Sequence, residues 1–313
     1  MNLSELSKLT EAEARVKFES IRWPNGPVCL HCGCFDSVSK LKGKAHRQGL
    51  YKCNDCGRQF SSTTGTIMEA SHLPIRTWMM AFAIMCSSKK GVSALQLKRQ
   101  LNIGSYRSAW HMAHRIRHAM LQEPMLGLLK GVVIADETYV GGKPRRGEKG
   151  IKGRGTKKTP VVALVERGGR ARAWPITYVN ARTLKRAIRE NVDPSATIHT
   201  DEFSSYKGIG RHFAGGHHHV NHGKGEYFRD GVSTNDAEAF FSLLKRGVVG
   251  SFHHVSKKHL HRYCNEFSFR WNYRKDTDEN RTVAAIQAAD GKRLMYQDPI
   301  RKMVQGDDPS APF

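Results

Sequence analysis

No stretch of eighteen apolar residues occurs in this 313-residue chain, so no segment is built to cross a bilayer as a helix. The opening residues, MNLSELSKLTEAEARVKFES, are polar and lack the apolar core of a secretory signal. A cytoplasmic protein without a membrane partner is therefore expected. Thr10 and Glu13 stand in capping-box spacing, so a helix is expected over this segment instead. Cysteine is scarce: seven residues, too unevenly placed for a disulfide framework. Acid is the other shortage. Twenty-eight Asp and Glu oppose 51 Lys and Arg, a formal charge of +23 before any of the sixteen histidines is protonated. Such an excess points to a polyanion partner, because basic side chains gain affinity by displacing condensed counterions from nucleic acid. The hydrophobic share of 39% and the length allow a folded chain of two or three domains.

Four of the cysteines form two knuckles, CLHC (Cys29, Cys32) and CNDC (Cys53, Cys56), with twenty residues between them. Paired C-x-x-C units at this distance close a tetrahedral thiolate shell around Zn²⁺. Gly33 and Gly57 follow the knuckles and ease their turns, and the segment between suits short hairpin strands. The expectation is a zinc ribbon over 25–65, after an N-terminal helix in 1–24. Cys34 falls outside the spacing, and Cys86 and Cys264 lie in apolar helical patterns that suit packing.

Residues 70–125 read as helical. IRTWMMAFAIMCSS (75–88) is one apolar helix, and two more, SALQLKRQL and SYRSAWHMAHRIRHAML, are split by Asn102-Ile103-Gly104. That is a helix-turn-helix pattern, and its second helix carries Arg107, Arg115 and Arg117 as candidate DNA contacts.

From 128 to 290 the texture is α/β, followed by a tail over 291–313. GVVIADETYVGG is a β-branched strand holding Asp136. A basic, glycine-rich loop follows, with Lys143, Arg145, Arg146, Lys149, Lys152, Arg154, Lys157 and Lys158, expected to lie along DNA. VVALVER and ARAWPITYV form a hairpin through Gly168-Gly169. TLKRAIREN (183–191) is a helix, ATIHTDEF (196–203) a strand ending at Asp201, and a later helix carries Glu238. Three antiparallel strands, a helix, a strand and further helices is the element order of the RNase H-like fold. Strand ends and a neighbouring helix bring Asp136, Asp201 and Glu238 to one sheet edge, where three carboxylates hold two Mg²⁺ ions for in-line phosphoryl transfer. An aspartate inside VVIADE needs such a role, since an unpaired carboxylate is costly to bury. The histidines of HHHVNH (His217, His218, His219, His222) lack ligand spacing and suit substrate or phosphate contact. His253 and His254 stand either near the site or in helix-start packing. The aromatics Tyr263, Phe267, Phe269, Trp271 and Tyr273 suit core packing.

The stretches RWPNGPVCLHCG, YKCNDCGRQFS, IADETYVGGK, HTDEFSSY, NHGKGEYFR and TNDAEAFFSLLKRGVVGSFHHVSKKHLHRYCNEFSFRWNYR run through most of the chain. Together they resemble the bacterial insertion-sequence DDE transposases that carry an amino-terminal zinc ribbon, the ISXO2-like family. The resemblance implies an RNase H-like catalytic core, Mg²⁺ or Mn²⁺ as cofactor, and cleavage and strand transfer at an element's terminal inverted repeats. It also makes a homo-oligomer plausible, since two DNA ends must be synapsed. Asp136 and Asp201 match the first two acids of the family. Some members are described with asparagine in the third position, which sets Asn235 beside Glu238. A non-catalytic DNA-binding regulator or an RNase H-like nuclease would use parts of the same pattern.

Helical geometry narrows the third position. At about 100° per residue, Ala237, Phe240, Phe241, Leu244 and Val248 fall within one arc and form a buried stripe. Lys245 lies about 20° from Glu238 and about 10 Å further along, suited with Arg246 to a DNA phosphate. Asp236 points elsewhere, and first-turn charge opposite Ser233 in capping-box spacing explains it. Asn235 shares the polar face with Glu238. A carboxylate binds Mg²⁺ better than an amide does, which favours Glu238.

Overall fold

The computed structural model describes residues 2–43, 45–121, 127–142 and 158–296. The expected amino-terminal helix is two helices, α1 (Leu3–Lys8) and α2 (Glu11–Arg22). Each starts with its own capping box, Asn2 with Glu5 and Thr10 with Glu13, so the break between them is fixed by two competing caps. A three-stranded antiparallel meander follows: β1 (Val38–Lys40), β2 (Leu50–Cys53) and β3 (Gln59–Ser61). Trp23, Tyr51 and Phe60 pack edge-on and stacked at its centre, and the Tyr51 hydroxyl donates to Glu19 of α2 at 2.7 Å.

Helices α3 (Ile75–Ser87), α4 (Ala94–Gln100) and α5 (Tyr106–Ala119) come next. Their apolar faces share one core with Leu6, Ala14 and Phe18 from the amino-terminal helices and with Ala285 and Ile286 of α9 (Asp278–Gln287). The last helix of the segment expected to be catalytic therefore packs on α3, away from the sheet.

The second half holds β4 (Val132–Val140), β5 (Thr159–Glu166), β6 (Ala171–Pro175), α6 (Ala181–Asn191), β7 (Thr197–Thr200) and β8 (His217–His219). A short hairpin, β9 (Phe228–Arg229) with β10 (Val232–Ser233), leads into α7 (Asn235–Gly247), and α8 (Leu260–Asn272) follows. The five-stranded sheet has the order β6-β5-β4-β7-β8. Strand β5 runs antiparallel to β4 and β6, whereas β4, β7 and β8 run parallel. This is the strand order and polarity of the RNase H-like fold. Strand β8 went unread in the sequence because HHH carries none of the β-branched signal of its neighbours.

Both faces of the sheet are covered. Ile134 packs on the side of α7 and α8 with Phe240, Leu244 and Phe267, while Val133, Ala135 and Ile198 pack on the side of α6 with Leu184 and Ile188. Successive residues of a strand point to opposite faces, and this alternation decides where the acids go.

The helical and sheet cores are joined through a buried ion triad. Glu266 of α8, fully buried, accepts from Arg117 Nε at 2.6 Å and from Arg270 at 2.6 and 3.2 Å. Arg270 also donates to the carbonyls of Met85 and Ser88, at the end of α3.

Candidate functional site

Asp136 shares the parity of Ile134 and so lies on the α7 face of β4. On β7, Ile198 faces α6, which places His199 on the opposite face and Asp201, one residue past the strand, on the same side. Because Ile134 is in register with His199 in the parallel pair, two steps further set Asp136 beside Asp201. Glu137 has the other parity, and its carboxylate accepts from the buried Tyr206 hydroxyl at 2.6 Å. Strand alternation thus separates the two neighbouring acids of ADET.

Burial raises the carboxyl of Asp136 to about 7, and the charges of Glu137, Asp201 and Glu238 add to the rise. The Glu137 N–H, which donates to Asp136 Oδ1 at 2.7 Å, works in the opposite direction. Burial also pushes the Asp201 carboxyl up, helped by the charge of Glu202, against the Phe203 N–H that donates to it at 3.0 Å. Among the described residues, no Lys or Arg forms an ion pair with either aspartate. The three carboxylates do not all fall within 4.8 Å of one another.

Helix α7 packs across β4 and β5. Ala237, Phe240, Phe241, Leu244 and Val248 are buried, the stripe expected from their spacing. Glu238, Lys245, Arg246 and Asn235 are exposed. The N-cap is Thr234, and Ser233 belongs to β10, so the expected Ser233–Asp236 capping box does not form. The Thr234 side chain is committed elsewhere: its hydroxyl lies 3.0 Å from His222 Nε2 and donates to Glu238 Oε1 at 3.4 Å. His222 Nε2 is itself 3.9 Å from that oxygen. Sequence reasoning left His222 among a run of histidines; its placement depends on β8, which it missed. Glu202 fixes the approach, accepting from the N–H groups of His222 at 2.9 Å and Gly223 at 3.0 Å.

His217 is turned inward, 2.8 Å from the Thr200 hydroxyl, and burial lowers its imidazole to about 4. It is a hydrogen-bonding partner of β7. His253 and His254 are exposed, so helix-start packing does not explain them. Tyr263, Phe267, Phe269 and Trp271 are buried, and Tyr273 stacks on Phe269 at 4.6 Å, as expected of packing residues.

The four knuckle cysteines lie together, with Sγ–Sγ distances of 3.6 Å for Cys29–Cys56 and for Cys32–Cys53. Four thiolates about 2.3 Å from a central Zn²⁺ in a tetrahedron would stand at nearly this separation, so the donor set fits the metal. Gly33 and Gly57 take φ of 78° and 70°, and each N–H reaches back to the first cysteine of its knuckle at 2.9 Å. A side chain would strain both turns. Cys34 is not one of the four, and Cys86 and Cys264 are buried.

The helix-turn-helix residues divide. The turn forms at Asn102, with φ 49°, and Arg107 is exposed in the first turn of α5. Two of the expected DNA contacts are corrected. Arg115 is buried, donating to the carbonyls of Leu294 and Glu69 at 2.9 Å, and Arg117 is the buried counter-ion of Glu266. Most of α5 packs inside the helical core, so helical spacing that looked like a charged face is spent on tertiary contacts. Lys158 lies just before β5, within the described residues; Lys143, Arg145, Arg146, Lys149, Lys152, Arg154 and Lys157 lie outside them.

A family model for the ISXO2-like transposase domain matches residues 128–272, and one for a transposase zinc-ribbon domain matches residues 9–59. The chain is 30% identical over 275 residues to an uncharacterized protein in transposable element ISH50 of Halobacterium salinarum, covering 84% of this chain and 91% of that protein. Among solved structures, the Mos1 strand transfer complex is similar at 12% identity and a TM-score of 0.30 over 69% of this chain and 79% of that one. A pre-cleavage Mos1 transpososome gives 14%, 0.26, 94% and 98%. The fold assignment rests on the strand order and polarity described above.

Proposed function

The chain belongs to the ISXO2-like transposase family, and from that premise we propose that Asp136, Asp201 and Glu238 form its catalytic centre for cutting and joining DNA. The observation that supports the proposal is the convergence of three acids, two of them hard to ionise, with no Lys or Arg in an ion pair with the aspartates among the described residues. Buried like charge of this kind is relieved by divalent cations, and carboxylate oxygens are the donors that Mg²⁺ or Mn²⁺ takes. When bound there, such cations supply activation of the attacking oxygen and neutralise charge at the leaving one. The chain needs no covalent nucleophile. Its own contribution is placement: β4 and β7 fix two carboxylates side by side, and α7 brings the third across from them.

Asn235 remains a rival for the third position through its amide oxygen. Glu238 is favoured by its charge and by its place in the group formed with Thr234 and His222. Lys245, two turns along the same exposed face, would hold a DNA phosphate, with Arg246 beside it. The basic residues of 143–157 with Lys158, and Arg107 on α5, would extend the contact along double-stranded DNA. The ribbon, holding Zn²⁺ through Cys29, Cys32, Cys53 and Cys56, would stabilise a compact module that touches DNA or another protein. Synapsis of two ends would require two or more copies of the chain.

The test is a labelled duplex carrying the ends of the element that encodes the chain, incubated with Mg²⁺ or Mn²⁺. Cleavage followed by strand transfer is the expected result. Cleavage without joining would favour a nuclease, and binding without either would favour a regulator. Separate Glu238→Ala and Asn235→Ala variants decide the third position.

A further inference from the structure

The segment Asn221–Ser233 carries two large aromatics on the surface. Tyr227 is 58% exposed and Phe228 65%. The backbone that carries them is held by hydrogen bonds on both sides. Asn221 and Glu226 bind each other's backbone, and the Asn221 side chain accepts from the Lys224 N–H at 3.2 Å. The β9–β10 turn, Asp230-Gly231, has both residues at positive φ, 48° and 81°, the geometry that matches strand twist in a tight hairpin. Arg229 donates to the His219 carbonyl at 2.9 Å, Arg167 donates to the Gly231 carbonyl at 2.5 Å, and Val232 is buried. The fold therefore rigidifies a hairpin and leaves its two aromatic rings outside.

Their position is specific. The Tyr227 ring packs on the His222 ring at 5.1 Å, with 34° between the planes, and His222 Nε2 is 3.9 Å from Glu238. One face of Tyr227 is thus occupied, and the side chain still leaves more than half its surface to solvent. Among the described residues no aromatic ring packs on Phe228. Tyr227, linked through His222 to Glu238, with Phe228 next to it in the chain and a net charge of +23, matches a nucleic acid better than an apolar protein surface. Aromatic rings accept any nucleobase by its face, a sequence-tolerant interaction. A blunt end offers only the outer face of its terminal pair, whereas a base that has left its pair turns a free face to a ring beside the strand.

We propose that Tyr227 and Phe228 form a stacking site for an unpaired nucleobase at the DNA end that enters the carboxylate centre. This rests on the catalytic reading above and adds to it a reason for a rigid aromatic hairpin at that place. The strand would run from the stacked base towards the phosphodiester at Asp136, Asp201 and Glu238.

The test compares two fluorescent duplexes of one sequence, blunt or with two unpaired bases at the end, with 2-aminopurine in the unpaired arm and no added Mg²⁺. The native protein should bind the forked duplex about five- to a hundredfold more tightly and quench the 2-aminopurine. Tyr227→Ala with Phe228→Ala should erase the preference while blunt-duplex affinity stays, and Tyr227→Trp with Phe228→Trp should keep it. Equal affinity of the native protein for both duplexes would overturn the proposal. So would a double alanine variant that keeps the preference, or one that changes only from oligomer to monomer, which would assign the rings to self-association. A native protein that prefers the fork yet never joins strands with Mg²⁺ supports the stacking site and counts against the transposition chemistry.

Discussion

Replacing Glu266 by glutamine should be the most damaging single conservative change in the chain outside the proposed catalytic centre. The carboxylate has no exposed surface, and it is the common acceptor for Arg117 and Arg270, both nearly buried. Glutamine keeps the volume and removes the charge, leaving two guanidinium groups buried without a counter-ion. Breaking a buried pair from one side costs about 3–5 kcal/mol. At about 2–4 °C per kcal/mol for chains of this order, the melting transition should fall by about 6–20 °C. Arg117→Met should cost less, because Glu266 keeps Arg270 and the pair stays neutral. The pH dependence has a definite sign. Burial by itself would raise the Glu266 carboxyl, but the charges of Arg117 and Arg270 outweigh it and hold the group below the ordinary range. A carboxyl whose folded value is depressed contributes stability that is complete above its unfolded value, about 4.3, and disappears as pH falls through the folded value. Circular-dichroism melts at pH 7 and along a descending series to pH 3 would show it. The native protein should lose stability below about pH 4, and Glu266→Gln should flatten that slope. A Glu266→Gln melt within a degree of native, or a larger loss in Arg117→Met, would refute the reasoning.

Other consequences can be measured directly. A β-carbon at Gly247 would overlap the Phe267 ring where α7 crosses α8, so Gly247→Ala should cost about 1–3 kcal/mol in denaturant unfolding; an unchanged midpoint would contradict the helix packing. Cys53→Ser should abolish stoichiometric zinc in elemental analysis and unfold the ribbon, detectable as lost protection of Tyr51 amide exchange, while the sheet of the second half remains folded. Lys245→Ala should weaken DNA binding and lower the salt slope of log K by about one, the signature of a lost phosphate contact, with no effect on the melt.

Much of the fold was legible because its signals are local. The knuckles need only four cysteines at fixed spacing and two glycines where φ must be positive. Helix α7 needs only its 3.6-residue stripe, and the five positions read as buried are buried. Asp136 stood out because an acid inside VVIADE conflicts with its apolar neighbours. What was missed depends on pairing across the chain. Strand β8 is extended because it pairs in parallel with β7, an instruction absent from HHH itself. Arg115 and Arg117 sit at helical spacings that look solvent-facing, but their partners, Glu69, Leu294 and Glu266, lie 46 to 179 residues away. A charge on a helix says nothing of whether a counter-ion waits in another element. The Ser233 cap failed for a related reason: β10 claims Ser233 for a hairpin, and the helix starts one residue later than its capping pattern suggests.

The most direct measurement is strand transfer by Asp136→Asn and Asp201→Asn proteins on a duplex carrying the element's ends, with Mg²⁺ and with Mn²⁺. Both substitutions keep shape and hydrogen bonding while removing one charge from the cluster. Each should leave zinc content, melting and DNA affinity near native and reduce joining by about a hundred- to a thousandfold, the scale of losing preorganised charge stabilisation. Joining at native rates in either variant would contradict the placement of the catalytic centre between β4, β7 and α7.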